Sequence, residues 1–169
     1  VVVFRPSAEG LAPVKSLAFP RDVRRVDVHL RVPTEGSKVR MLGFDPATNQ
    51  PISAQSNPNT VRARMGGSES GYGFLDAFPD AAIQVTDPTI TRVQSLQVRA
   101  DAEDMQNLAR FIIGELELDG DPDLNAGTNV RLTGLSRRFD GIYYVRSSRH
   151  YYDDATGYRT TLQVRRTGA

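Results

Sequence analysis

The clearest alternation of apolar and polar positions lies in VDVHLRV, where every second residue is apolar. The apolar members of this stretch are Val26, Val28, Leu30 and Val32. A period of two with one apolar side is typical of a half-buried antiparallel strand. The turn-forming PTEGS follows, so KVRMLGF is predicted to return beside it as the second strand of a hairpin.

A helical period occurs in DAEDMQNLARFIIGELE, residues 101–117. Its apolar residues recur every three or four positions: Ala102, Met105, Leu108, Ala109, Ile112 and Leu116. Asp101 is a suitable N-cap, and Glu103 and Asp104 follow in the first turn, where the helix dipole favours negative charge. We therefore predict one helix that begins at Asp101, and a strand in TITRVQSLQV before it.

Three turn signals, DGDPD, SRRFDG and DDATG, divide the rest of the chain into short segments that alternate like strands. With the earlier hairpin this gives about six strands around one helix. The predicted fold class is mainly β (β+α): a small antiparallel β-barrel, or a sandwich, with one packed α-helix. We assign residues 1–45 and 83–169 to this unit. Residues 46–82, rich in Pro, Gly, Asn and Ser, are predicted to form a loop-rich insertion or linker.

Length and composition narrow the class of protein. A chain of 169 residues and 18.6 kDa suits one domain with its own core. The chain has no initiator Met, so we expect it to be a piece of a longer protein. It has no Cys, which excludes disulfides, thiolate catalysis and Cys-ligated zinc. No run approaches the roughly 18 apolar residues of a membrane span, so no membrane partner is expected.

Charge is unevenly distributed along the chain. Residues 1–68 contain ten basic and five acidic residues, a net charge of +5. Residues 69–127 contain three basic and twelve acidic residues, a net charge of −9, and residues 128–169 contain eight basic and three acidic residues, a net charge of +5. Blocks of opposite sign can pair within a fold or across subunits. This pattern favours self-assembly over nucleic-acid binding, so nucleic acid is not the partner that we expect.

Two loops resemble ligand sites only superficially. The Gly-rich GGSESGYG lacks the Gly-Lys-Ser/Thr end of a phosphate loop and is interpreted as a flexible loop. Asp119, Asp121 and Asp123 have the spacing that opens a calcium loop, but Leu124 and Val130 occupy the positions that require Gly and Glu. We interpret this stretch as an acidic turn, and we assign no metal-ligating or cofactor-binding residue.

The last hairpin raises the question of catalysis. His150 with Asp153 and Asp154 could form a base with orienting carboxylates, but no nucleophile is identifiable beside them. A hydrolase that uses Glu115 and Asp119 is a further hypothesis, and the sequence gives no separation between these two carboxyl groups. We therefore assign no catalytic residue and expect a protein that is not an enzyme.

The same hairpin concentrates aromatic and basic side chains. Its members are Tyr143, Tyr144, Tyr151, Tyr152 and Tyr158, interleaved with Arg146, Arg149 and Arg159. Such residues could stack on a glycan or a nucleic acid, and they also serve cross-strand packing and protein interfaces. Because neighbouring strand residues point to opposite faces, Tyr143 and Tyr144 cannot share one platform. Packing combined with a protein interface is therefore the favoured interpretation.

The C-terminal sequence resembles the end of the phage late control protein D family, the tail or baseplate hub proteins related to the base of VgrG spikes. The resemblance lies in a Pro-x-Leu-x-x-Gly opening, a Phe-Asp-Gly-x-Tyr-x-Val hairpin and a His…Gly-Tyr-x-Thr return. These motifs consist of Pro122, Leu124, Gly127, Gly134, Phe139, Asp140, Gly141, Tyr143, Val145, His150, Gly157, Tyr158 and Thr160. The resemblance covers residues 14–52 and 83–169, and it is weak outside the C-terminal hairpins.

This resemblance implies a structural role in a contractile injection system. It implies a tail-tube-like barrel, the second of two in a hub protein whose first barrel this chain lacks. The implied assembly is a homotrimeric ring that joins the tail tube protein to the spike protein, in a virion or phage-tail-like particle assembled in the bacterial cytoplasm. A glycan- or nucleic-acid-binding β-barrel module is the alternative, and a cell-wall hydrolase ranks last.

Overall fold

The structure is a computed structural model, and it describes residues 11–31, 38–57, 65 and 82–168. The turn PTEGS and the Gly-rich stretch GGSESGYG lie outside these residues. The elements in chain order are β1 Lys15–Ala18, β2 Val23–Leu30, β3 Lys38–Asp45, β4 Gln50–Gln55, β5 Ala82–Thr86, α1 Val93–Leu108, β6 Ile112–Asp119, β7 Asn129–Thr133, β8 Gly141–Asp153 and β9 Gly157–Arg166. The predicted mainly β class is confirmed.

The chain divides into two compact units. Unit 1 comprises residues 1–31, 63–68 and 110–169, and unit 2 comprises residues 32–62 and 69–109. The bounds differ from those of the barrel predicted over 1–45 and 83–169, and strand β4 lies within the predicted insertion 46–82. No helix in the described part of the chain is long and apolar enough to cross a membrane.

Unit 1 contains a curled six-stranded sheet in the order β1-β7-β8-β9-β6-β2. All neighbouring strands are antiparallel except β1 and β7, which are parallel. The inward positions of these strands form its core, with Leu17, Val23, Ile112, Leu116, Val130, Leu132, Tyr143, Val145, Leu162 and Val164 all almost fully buried. This burial follows from the period-two apolar pattern, which places alternate side chains on one side of a sheet.

The two edge strands of this sheet follow each other in the chain. Residues 19–22 connect β1 to β2. The N–H of Asp22 donates to the carbonyl of Ala18 at 2.7 Å, and a carboxylate oxygen of Asp22 accepts from the N–H of Ala18 at 2.9 Å. These reciprocal bonds fix a tight connection between the two edges.

Unit 2 contains a three-stranded sheet in the order β4-β3-β5, on which helix α1 packs. Its core consists of Val39, Met41, Ala54, Leu96 and Ala100. The helix approaches β3 closely at Gly43, where a Cβ atom would lie 2.5 Å from the carbonyl oxygen of Ile90 and 3.2 Å from the side chain of Leu96. Glycine at this position therefore permits the close packing.

The predicted bounds of the helix were wrong. The helix begins at Val93, after the N-cap residue Arg92, and it ends at Leu108, so TITRVQSLQV is not a strand and FIIGELE belongs largely to β6. Leu96, Ala100 and Leu108 recur at multiples of four and are all buried, and Leu96 and Ala100 pack into the core of unit 2. Asp101 lies inside the helix, where its carboxylate accepts from the N–H of Asn57 at 2.9 Å.

The predicted hairpin of β2 and β3 was also wrong. β2 pairs with β6 in unit 1, whereas β3 pairs with β4 and β5 in unit 2. The inward residues of β3, Val39 and Met41, are buried with the helix, while Val26 and Val28 pack against the core of unit 1. The two strands thus belong to different cores, and the alternation within a strand does not indicate which other strand it pairs with.

Candidate functional site

The Phe-Asp-Gly motif forms the turn that leads into β8. A carboxylate oxygen of Asp140 accepts from the N–H groups of Leu135 and Ser136 at 2.9 and 3.3 Å, and the N–H of Asp140 donates to the carbonyl of Ser136 at 2.8 Å. Gly141 follows with φ +149°, and a Cβ on it would lie 2.6 Å from Cζ of Arg166. Asp140 therefore closes the turn, and Gly141 leaves room for a guanidinium group.

That guanidinium belongs to Arg166, the largest of the fully buried side chains among the described residues. Arg166 is only 2% exposed, its Nη1 donates to the carbonyl of Asp140 at 2.8 Å, and its Cζ lies 5.6 Å from the ring centroid of Tyr143. The hydroxyl of Tyr143 donates to the carbonyl of Phe139 at 2.7 Å, and burial raises the pKa of this hydroxyl. We call Phe139, Asp140, Gly141, Tyr143 and Arg166 the Arg166 cluster. Its contacts offset part of the cost of burying a charge.

Sequence reasoning missed Arg166. A signal was present, because Arg166 follows Leu162 and Val164 at a period of two and therefore occupies an inward position of β9. A charged residue in that phase indicates a buried, partnered side chain.

The His…Gly-Tyr-x-Thr motif forms a second group of contacts. Nδ1 of His150 lies 3.0 Å from Oγ1 of Thr160 and 3.2 Å from the hydroxyl of Tyr158. Oγ1 of Thr160 also accepts from the N–H of Asp121 at 2.9 Å. The N–H of Gly120 donates to the carbonyl of Tyr158 at 2.9 Å. These residues, the His150 cluster, tie the β8–β9 hairpin to the segment after β6.

His150 connects β8 to β9 through hydroxyl groups. The hydrogen-bonding contacts that the structure describes for its ring are to two hydroxyl groups, and its Nε2 is buried without a hydrogen-bonding partner among the described residues. Asp153 instead accepts from the N–H groups of Ala155 and Thr156 at 2.9 and 2.7 Å, which closes the hairpin turn. The structure thus places His150 and Asp153 in separate networks.

The acidic turn DGDPD contacts basic side chains. Asp119 at the end of β6 forms ion pairs with Arg24 and Arg159, and the Arg24 guanidinium is the main cause that lowers the pKa of Asp119. Asp121 pairs with Lys15, which lowers the pKa of Asp121 in the same way. Among the described residues no group of three His, Cys, Asp or Glu side chains could hold a metal ion.

The tyrosines of the hairpin are distributed over both faces of the sheet, as predicted. Tyr143 is fully buried, whereas Tyr144 lies under Arg165, with Cζ 4.9 Å from the ring centroid. Cζ of Arg149 similarly lies 5.8 Å from the ring of Tyr151, and Tyr152 is 72% exposed. Tyr151 and Tyr152, which the sequence groups together, therefore lie on opposite faces.

The outward face of unit 1 carries a polar trough. Two adjoining concavities of about 350 and 290 Å³ lie across β2, β6, β9 and β8, and both are lined by Glu115 and Gln163. One register row crosses the face through Asp27, Glu115, Gln163 and Ser147. Arg149 and Tyr151 line one end of the trough, and His29 lines the other.

This face does not suit the hydrolase hypothesis. Glu115 and Asp119 are four residues apart on β6, which puts their Cα atoms about 13 Å apart at roughly 3.3 Å per residue. The two carboxyl groups of a glycosidase are roughly 5–9.5 Å apart. Asp119 is also paired with two arginines.

A family model described as the Alg8 N-terminal domain matches residues 1–154. The chain belongs to this family. No curated protein sequence matches the chain at a significant level.

Solved structures of phage tail proteins have the same fold as this family member. A 43 kDa tail protein of prophage MuSo2 from Shewanella oneidensis superposes with a TM-score of 0.62 at 15% identity, over 90% of this chain and 43% of that chain. A tail protein from Neisseria meningitidis MC58 superposes with a TM-score of 0.56 at 13% identity, over 91% and 44%. The chain thus spans less than half the length of these proteins, and at such identity the likeness is one of fold.

Proposed function

We propose that the chain is a structural, non-enzymatic component of a phage tail or a related contractile injection apparatus. The observation that carries this proposal is the fold shared with two phage tail proteins over about nine-tenths of the chain. The proposed location is a virion or phage-tail-like particle. Because the chain spans 43–44% of those proteins, it would supply one part of a longer subunit.

Within such an apparatus, the finer proposal is a baseplate hub of the late control protein D type, related to the base of VgrG. The full-length subunit would assemble as a homotrimeric ring between the tail tube protein and the spike protein. The positions of the motif residues support this proposal. Seven of the thirteen residues that carry the resemblance to the late control protein D family belong to the Arg166 and His150 clusters, whose hydrogen bonds hold the two ends of the β8–β9 hairpin. Each copy in a symmetric ring presents the same surface, and a hairpin held at both ends favours this.

The test is the assembly state of the full-length protein that contains this chain. Light scattering and negative-stain microscopy should show trimers or rings, and an affinity-tagged subunit should retain the tube protein encoded with it. Arg166→Met in the full-length protein should reduce ring formation, whereas the outward substitution Arg131→Met should not. A full-length protein that stays monomeric and does not bind tube protein contradicts the hub role.

A further inference from the structure

The polar trough of unit 1 has features that assembly of a ring does not require. Among the described residues, no side-chain hydrogen bond or ion pair is formed by Glu115, Gln163 or Arg146, although all three line the trough. Elsewhere on this sheet charged side chains pair readily, as Asp119 does with Arg24 and Arg159. The side chains of Glu115, Gln163 and Arg146 are therefore available to a ligand, while Asp27 and His29 at the other end of the trough contact each other at 3.0 Å.

The shape of the trough follows from the strands. The small side chain of Ser147 on β8 contributes little volume to its floor, while the longer side chains of Arg149 and Tyr151 line one end. The register of β8 against β9 shifts between Val145 and Ser147, and this irregularity places Arg146 at the second concavity. Because the depression is built on paired strands, it is held in place without a ligand.

The chemistry of the lining selects a class of ligand. Carboxylates of Asp27 and Glu115 accept hydrogen bonds, Arg149 donates them, and the amide of Gln163 does both. Tyr151 adds an aromatic surface whose ring lies beside the Arg149 guanidinium, with 5.8 Å between Cζ and the ring centroid. A ligand that both donates and accepts at many points, and that has an apolar face for stacking, matches this combination. Sugars have these properties.

Other classes of ligand fit less well. A nucleic acid would bring phosphates against Asp27 and Glu115, and the two arginines of the lining only balance these carboxylates, so the trough offers a polyanion no net attraction. An apolar small molecule would find few of the apolar contacts that usually line its pockets. The lining extends over at most six positions of a strand, from Arg146 to Tyr151, and over four adjacent strands. At about 3.3 Å per residue and 4.8 Å per strand this patch covers roughly 400 Å², half of the roughly 800 Å² per partner in a standard protein interface.

We infer that this trough is a binding site for a short, uncharged oligosaccharide, with Tyr151 stacking on a sugar ring and Glu115, Gln163 and Arg149 bonding its hydroxyl groups. This inference does not depend on the proposed tail role. It also distinguishes Tyr151 from Tyr152, its neighbour in sequence on the other face.

Saturation-transfer NMR and calorimetric titration of the full chain with chitotetraose, maltotetraose and cellotetraose test this site. At least one of these probes should bind saturably, and Tyr151→Ala should weaken that binding by about tenfold or more, the loss of roughly 1.4 kcal/mol. Glu115→Gln should weaken it as well. Tyr152→Ala is the matched control and should leave affinity unchanged, because its ring is exposed away from the trough.

Salt dependence provides a second criterion. Binding of an uncharged sugar should change little as salt rises, whereas binding of a single-stranded DNA control should fall steeply if it occurs at all. The inference is overturned if none of the three oligosaccharides binds at millimolar concentration, if binding survives both Tyr151→Ala and Glu115→Gln, or if only the DNA binds. None of these results bears on whether the full-length protein forms rings.

Discussion

The substitution Gly141→Ala tests the Arg166 cluster most directly. Gly141 has φ +149°, and a Cβ there would lie 2.6–2.7 Å from Cζ, Nη1 and Nη2 of Arg166. Backbone strain at a positive φ costs about 1–3 kcal/mol. Displacing the guanidinium also removes its hydrogen bond to the carbonyl of Asp140, and a bond to a charged group contributes about 1.5–3 kcal/mol. We expect Gly141→Ala to lower the free energy of unfolding by about 3–5 kcal/mol, a large share of the 5–15 kcal/mol of a typical domain.

A matched control separates the steric contact from the backbone strain. Gly157 has φ +71°, and nothing lies within 4 Å of the Cβ that Gly157→Ala would add. This control should cost only the backbone term, about 1–2 kcal/mol. Urea unfolding followed by near-ultraviolet circular dichroism of the tyrosines measures both, and the two midpoints should differ by about 1 M at typical urea m-values. Equal costs for the two alanines would refute the argument that Arg166 requires a glycine at position 141.

A double-mutant cycle measures the interaction between positions 141 and 166 directly. Arg166→Met keeps an unbranched side chain of similar length but removes the guanidinium that a Cβ on Gly141 would meet. The Gly141→Ala cost measured in the Arg166→Met background should then fall by at least about 1 kcal/mol, because contacting residues couple. Additive effects would mean that the two positions do not interact.

Three further perturbations probe other parts of the molecule. Thr160→Val should lower the free energy of unfolding by about 1–3 kcal/mol, because the partly buried N–H of Asp121 loses its acceptor, whereas the outward Thr161→Val should be nearly neutral in the same thermal unfolding assay. A neighbouring arginine guanidinium holds the pKa of Asp22 at about 2, below its ordinary 3.8, so the unfolded chain binds the proton more readily. The resulting stability is present above pH 3.8 and is lost as pH falls towards 2, and the wild type and Asp22→Asn should therefore converge in urea titrations at pH 2 while differing at neutral pH. Leu96→Ala should lower the free energy of unfolding by about 2–5 kcal/mol, and Val98→Ala should leave it almost unchanged. The reverse order would contradict the face of the helix that the structure buries.

The strands of the C-terminal half could be predicted because their signals are local. Period-two alternation and turn residues such as Asp140 and Gly157 lie within the segments that they define. The helix was misplaced for the opposite reason. The acidic residues around Asp101 have the pattern of a helix N-terminus. The first turns of the actual helix are instead held by Leu96, which packs against β3, more than fifty residues earlier in the chain. Tertiary packing therefore overrode a plausible cap signal.

The candidate sites show the same limit. The motif around His150 could be recognised, but its role depends on the register that brings Thr160 opposite it across β8 and β9. Arg166 was not predicted as a site residue, because its partner is the carbonyl of Asp140, 26 positions earlier, and no nearby residue in the sequence indicates that contact. The outward trough combines side chains from four strands, and single-strand patterns contain no trace of such a surface.

The short connection between β1 and β2 has a geometric consequence for the sheet. These strands are its two edges, and five intervals of about 4.8 Å would separate the edges of a flat six-stranded sheet by about 24 Å. Ala18 and Val23 are only five peptide units apart, which an extended chain can span over at most about 18 Å. A flat arrangement is thus covalently impossible while both edges stay paired. The curvature of unit 1 is a property of its connectivity, and a chain cut or lengthened between residues 19 and 22 would no longer be obliged to bend.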